Sequence, residues 1–291
     1  MCTLTRSPSE TQESPRRLLL FVSLITSLAV LSGPAYAQQC PQFSIGVPDA
    51  HAFPYPPVVG LVFDGSSLYG VTYNYMLYRF TLPAAGPIVL EDSLQLRPPS
   101  GGIPSGANGL GRQQNGDWIV SGTLSRPSIT FFDPVTGIES RRFGYPGNMP
   151  EGIAVTADLI YVLDPEIPQV AIGDLLTGLW IGTCPVPDGS TSVTGLAYDQ
   201  ADSTLYTCDN QGPQGAELIQ FTPDACIVSY ALQQAGYRGL ALRPPSPLLP
   251  DPRQIAVYNR DNPLTTIDIY YTPGEVPVAP TSWGMMKSLY R

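Results

Sequence analysis

Residues 151–164 read EGIAVTADLIYVLD. A glycine opens a short apolar strand, a polar turn follows, and a second apolar strand ends on an aspartate. The same unit occurs four more times: VGLVFDGSSLYGVT from Val59, NGLGRQQNGDWIVSG from Asn108, TGLAYDQADSTLYTCD from Thr194 and RGLALRPPSPLLPDPRQIAVYN from Arg238. The leading glycines stand at 60, 109, 152, 195 and 239, in steps of 49, 43, 43 and 44 residues. The longer first step holds the insertion PPSGGIPSG (98–106).

Each unit continues with a third strand: MLYRFTL, SITFFDP, QVAIGDL, ELIQFTP and TTIDIYY. Two of these run into matching turns, Asp133 to Gly137 and Asp174 to Gly178, where the glycine supplies the positive φ that reverses the chain. Fourth strands follow, such as GLWIGTC (178–184) and CIVSYAL (226–232). Four short strands every 40–45 residues are the sequence signature of propeller blades. Helical repeats would show a period of 3.6, and a sandwich would not space its glycines so regularly. The expected fold is all-β, a five-bladed β-propeller. The fifth unit lacks a fourth strand of its own. QFSIGVPDA (42–50) resembles the fourth strand and exit loop LWIGTCPVPDG (179–189), so this N-terminal segment is expected to complete the last blade. Closure of that kind removes exposed sheet edges.

Outside the repeat, Arg16 and Arg17 precede the apolar run 18–31, and Ala35 and Ala37 give the small-residue pattern of a signal peptide. The expected division is a leader at 1–37, cleaved after Ala37, a propeller at 38–272 and a tail at 273–291. A retained anchor is the alternative, but the run is short for a spanning helix. The protein is therefore expected in the bacterial periplasm or outside the cell, as a monomer without a membrane span after cleavage. Charged residues are only 13% of the chain, the net charge is −9, and Lys287 is the sole lysine. With no basic stripe, nucleic acid and anionic membrane surfaces are disfavoured as partners. The tail SWGMMKSLYR resembles a short Ser/Thr-Trp-Gly-x-x-Lys-x-x-Tyr/Phe-Arg ending of exported bacterial proteins, which implies a sorting or attachment tag. Alternatively Trp283, Met286 and Leu289 pack on the propeller as a short helix.

Cys2 leaves with the leader, and four cysteines remain. An even number in an exported chain suggests disulfides. Blade geometry favours Cys40–Cys226 with Cys184–Cys208, and buried free thiols are the alternative.

Propellers place ligands where loops converge on the central channel. The residues just before the five glycines, Val59, Asn108, Glu151, Thr194 and Arg238, are expected to ring that mouth. Strand-end residues Asp164, Asp209, Asn210, Asn259 and Asp261 lie near it. The blade pattern over about residues 42–272 resembles the NHL and gluconolactonase-like propellers. In the gluconolactonase-like enzymes, carboxylates and amides at these positions hold a divalent cation, and Asn108 and Glu151 match by type and place. That resemblance implies a possible Ca²⁺ site at Asn108 and Glu151. Thr194, Val59 and Arg238 depart from the pattern, and Ca²⁺ wants six to eight oxygens. The opposing expectation is that Glu151 pairs with Arg238 across the channel.

No other catalytic set emerges. His51 is the only histidine, so a triad or a zinc site would hang on one residue. A carboxylate pair of Glu151 and Asp209 is conceivable, but strand-end aspartates more often cap turns. Tyr69, Tyr161, Tyr206 and Tyr258 recur in or beside second strands and signal blade packing, whereas Tyr73, Tyr75 and Tyr145 are candidates for a recognition surface. The sequence thus points to a non-enzymatic scaffold, without a cofactor, that recognises protein or glycan at a ring face. A Ca²⁺-dependent lactonase-type hydrolase is the alternative.

Overall fold

Five small sheets are arranged in a ring, as the glycine repeat predicts. The computed structural model describes residues 40, 42–44, 49–83, 86–123, 126–167, 169–187, 192–212, 215–222, 225–232, 236–243, 254–260 and 266–271. The expected leader and tail, Asp261, and most of the loop 243–253 lie outside these residues, as do the side chains of His51 and Cys226. Among the described residues, no helix is long and apolar enough to cross a membrane.

The first blade is β3 (Val58–Asp64), β4 (Ser67–Thr72), β5 (Met76–Thr81) and β6 (Val89–Gln95), preceded in the chain by β1 (Gln42–Ser44) and β2 (Asp49–Ala52). The second is β7 (Ala107–Arg112), β8 (Trp118–Gly122), β9 (Ser128–Phe132) and β10 (Glu139–Gly144). The third is β11 (Ile153–Val155), β12 (Leu159–Asp164), β13 (Gln169–Asp174) and β14 (Trp180–Pro185). The fourth is β15 (Val193–Asp199), β16 (Thr204–Gly212), β17 (Gly215–Thr222) and β18 (Ala225–Ala231). The fifth is β19 (Tyr237–Arg243), β20 (Gln254–Asn259) and β21 (Thr266–Tyr271). Within each blade the strands run antiparallel in chain order.

Each blade is too small to bury both faces alone, so its core comes from its neighbours. Five apolar clusters fill the five gaps between successive blades, and the gap between the fifth and first blades is filled like the rest. In that gap Ala256, Tyr258 and Ile267 meet Leu61, Leu68 and Phe80. The two predicted turns take their expected form. Gly137 and Gly178 have φ of 66° and 73°, and the carboxylates of Asp133 and Asp174 each accept bonds from the threonine three residues on.

The ring is closed by an N-terminal strand as expected, but by the end of the segment 42–50 and not by its start. β2 pairs antiparallel with β21, Asp49 opposite Ile269 and Ala52 opposite Thr266. Phe43 lies elsewhere: β1 pairs parallel with β18 and adds a fifth strand to the fourth blade. The segment resembling 179–189 thus contributes β1 to the fourth blade and the first residues of β2 to the fifth.

The expected Cys184–Cys208 bond is not formed, and both cysteines are buried. Cys184 packs between the third and fourth blades and Cys208 between the fourth and fifth, so the fourth sheet stands between them. Tyr75 and Tyr145 are core residues at 0% and 7% exposure, and only Tyr73 of that trio is exposed. The Tyr75 ring lies against Phe132, across the gap between the first two blades.

Candidate functional site

The glycine of each first strand sits where the strands crowd the axis. A Cβ on Gly60 would meet the backbone of Gly109 and Leu110, and one on Gly109 would meet the Glu151 carbonyl. One on Gly152 would meet Gly195, one on Gly195 would meet Leu240, and one on Gly239 would meet Gly60. The contacts thus run once around the ring and return to their start. At this level the axis holds no room for a water. The glycine ring therefore divides the channel into two separate mouths.

The mouth before the glycines carries the residues singled out in the sequence. It does not gather them around a ligand. Asn108 donates its amide to the Pro150 carbonyl at 3.2 Å, and Thr194 donates its hydroxyl to the Tyr237 carbonyl at 2.7 Å. Each of these bonds crosses to the next blade. Ser121 does the same, donating to the Glu151 carbonyl at 2.7 Å. The polar residues recur because they stitch blade to blade.

Glu151 and Arg238 do meet, with Oε1 3.3 Å from Nη1. Glu151 is 7% exposed and Arg238 41%. Burial pushes the Glu151 carboxyl up to about 7, the guanidinium of Arg238 pulling it back and the nearby Asp164 pushing it further up. Asp164 is buried and accepts from the backbone N–H groups of Asn148 and Glu166. Asp209 accepts from Gln211, while its Oδ2 is buried without a hydrogen-bond partner. Both aspartates thus cap turns. These donors do not suit Ca²⁺. The Glu151 carboxylate faces an arginine, the Asn108 amide is turned to a carbonyl, and among the described residues no three His, Cys, Asp or Glu side chains converge as metal ligands.

The Glu151 shift has a consequence for stability. A carboxyl held above its ordinary value favours folding when protonated. Its contribution is fully present below about pH 4.5 and is lost as the pH rises through about 7. The loss is on the order of 3 kcal/mol. In Glu151→Gln the melting temperature is expected to lose this dependence, so that the variant gains on the wild type as the pH rises from 5 to 8. Arg238→Gln is expected to be more harmful at pH 8 than at pH 5, because it leaves the carboxylate unpaired only where it is charged. Parallel melting curves for all three proteins across that range would reveal an unshifted Glu151.

The other mouth was not anticipated. Beyond the glycines the first strands and their hairpin turns diverge around a cavity of about 600 Å³. It is blind, because the glycine ring is its floor. Leu61, Ile153, Leu196 and Leu240 line both that floor and the constriction beneath it. The rim is polar: Asp64, Arg112, Gln113, Asp158, Tyr198 and Gln200. Arg112 places Nη2 3.1 Å from the Asp64 carboxylate and its guanidinium 3.8 Å from the Trp118 ring centroid. Tyr198 stacks on Tyr161 across the blade gap, centroids 5.7 Å apart and rings 8° from parallel. A signal for these residues did exist in the sequence. Each lies at the same place in its repeat, in or beside the first hairpin turn, as in RQQNG, TAD and YDQAD.

No known protein family matches the sequence, and no curated protein is similar to it. Similarity appears only among solved structures. A chain of the mitotic checkpoint complex aligns with a TM-score of 0.45 and 15% identity, over 74% of this chain and 61% of that one. Glutaminyl cyclase of Myxococcus xanthus aligns with a TM-score of 0.41 and 18% identity, over 56% of this chain and 73% of that one. This chain therefore spans less than two thirds of the length of the first. Nothing in these likenesses assigns it to the NHL and gluconolactonase-like group, and the five-bladed β-propeller stands on the chain's own strands.

Proposed function

We propose that the protein is an exported, non-enzymatic propeller that binds a protein or glycan ligand at one ring face. The face is the one with the blind funnel. A single observation carries this reading: the closed ring leaves a cavity of about 600 Å³ that is sealed at the glycine level and open at the hairpin turns. That volume is within the range of small-ligand sites. Its walls come from several blades, so the ring holds them in fixed positions before any ligand arrives. At the opposite mouth Asn108, Thr194, Glu151 and Arg238 are spent on each other and on neighbouring backbone.

Export is supported by the leader-like residues 1–37 and by the cysteines. Cys184 and Cys208 do not bond to one another, which leaves Cys40 for the cross-link. Cys226 is its expected partner. β1 runs parallel to β18 with Gln42 opposite Ser229, which brings Cys40 level with the start of β18. Isolated without reductant, the protein should begin at Gln38, expose no reactive thiol when native, and expose only Cys184 and Cys208 when unfolded.

Binding is tested by blocking the funnel. Ala157 is exposed in a hairpin turn at its rim. Ala157→Trp should leave the melting temperature unchanged and abolish capture of the partner from envelope extract. Capture that survives this substitution would move the ligand to another face.

A further inference from the structure

We infer that the funnel takes the neutral, polyhydroxylated end of a glycan chain. This rests on the reading of the funnel as the ligand site and names its ligand class. Three features of the lining point the same way.

The first is charge. The charged side chains of the lining are Asp64, Arg112 and Asp158. Arg112 is engaged twice, by Asp64 at 3.1 Å and by the face of Trp118 at 3.8 Å. Asp158 is exposed on the rim. The net charge of the lining is therefore negative, and its one cation is already paired. Phosphate, sulfate and uronate groups would meet repulsion here, while hydroxyl groups would find carboxylate acceptors.

The second is the kind of polar group. Gln200 is exposed and presents an amide, with donors on one side and an acceptor on the other, while Gln113 lines the cavity with its Oε1 buried. A sugar hydroxyl donates and accepts at once, and vicinal hydroxyls match an amide or a carboxylate in pairs. Together with Asp158 these groups are spread over three blades, so they would surround a ring rather than grip a single atom.

The third is Tyr198. Tyr198 is one of the lining residues, and its half-buried ring is held against Tyr161 at the edge of the apolar gap between the third and fourth blades. A held aromatic ring beside hydrogen-bonding groups suits the apolar C–H face of a pyranose, which needs a flat surface as well as polar partners. The blind floor adds a selection of its own, because it admits the end of a chain and not its middle.

The test uses residues 38–291 and calorimetric titration with five probes. These are neutral gluco-, manno- and galacto-oligosaccharides, an oligosaccharide of uronic acids, and a lysine-rich peptide. A neutral oligosaccharide is expected to bind, and the uronic acid oligosaccharide is not. Asp158→Asn lies on an exposed turn and should fold normally while weakening binding about tenfold. Tyr198→Ala should weaken it by a similar factor, whereas Tyr198→Phe, which keeps the ring, should not. Ala157→Trp should abolish it. Preferred binding of the peptide or of the acidic oligosaccharide through these same residues overturns the ligand class and leaves the funnel as the site. Failure of every neutral oligosaccharide, with envelope capture still blocked by Ala157→Trp, has the same meaning. Neutral oligosaccharide binding that is indifferent to Ala157→Trp overturns both readings.

Discussion

Gly109→Ala is expected to destabilise the protein by about 3 kcal/mol or more, beyond the ordinary cost of an added methyl group in a core. The new Cβ would lie inside the van der Waals envelope of the Glu151 carbonyl oxygen and 2.8 Å from Ser121 Oγ. Neither atom is free to yield. The carbonyl belongs to the third blade, and Ser121 donates its hydroxyl to that same oxygen at 2.7 Å. Making room means pushing one blade away from the next. In a closed ring that displacement is passed to the other gaps. Gly182→Ala is the matched control, since no atom lies within 4 Å of its Cβ and its φ is not in the left-handed region. It should change stability by less than about 0.5 kcal/mol. At this chain length, each kcal/mol moves the melting temperature by roughly 2–4 °C, so the two variants separate clearly in a thermal scan. Equal stability would mean that the first strands do not crowd the axis.

The same contact explains why the fold was so legible. Five glycines at near-constant spacing record a steric demand that repeats once per blade, and no other residue meets it. The third strands and the Asp-to-Gly turns were equally plain, because local turn chemistry sets them. Closure was harder. Residues 42–52 hold two short strands, and a similarity that touches both cannot say which one reaches β21. That choice is made by residue 53 and by the far edge of another blade, and neither is local in sequence.

The site was legible only in part. The pairing of Glu151 with Arg238 could be anticipated, because opposite charges at equivalent repeat positions face one axis. The fate of Asn108 and Thr194 could not. Both recur before a glycine, as ligands would, yet each bonds a backbone carbonyl about 43 residues ahead in the next blade. Repetition in a ring can mark a fastener as readily as a ligand. The funnel residues gave the opposite impression: Asp64, Asp158 and Gln200 sit among turn-forming residues, where polar side chains are commonplace. Only their convergence in space distinguishes them, and convergence depends on blade number and tilt.

Removing the closing strand should have the largest effect of all. Joining Asp49 to Ile269 closes a loop of more than two hundred residues, at an entropic cost of about 5 kcal/mol. The pairing of four residues returns only about 1 kcal/mol net per hydrogen bond, so it barely offsets that cost. Phe53 tips the balance. It is 2% exposed, and its ring centroid lies 5.2 Å from Phe80 of the first blade and 5.4 Å from Tyr258 of the fifth. Its burial contributes roughly 2–3 kcal/mol, and it locks the strand between the two blades that must meet. Phe53→Ala is therefore expected to cost about 3–5 kcal/mol. A chain beginning at residue 54 loses β2 and Phe53 together. It should unfold without a cooperative transition and aggregate through the bared edge of β21. A chain beginning at residue 48 loses β1 and Cys40 but keeps the closing strand, and it should retain a cooperative transition at a lower midpoint. Urea titrations of the two chains decide the matter. If both unfold cooperatively at the same midpoint, closure by β2 contributes nothing, and the five apolar gaps hold the ring without a fastener.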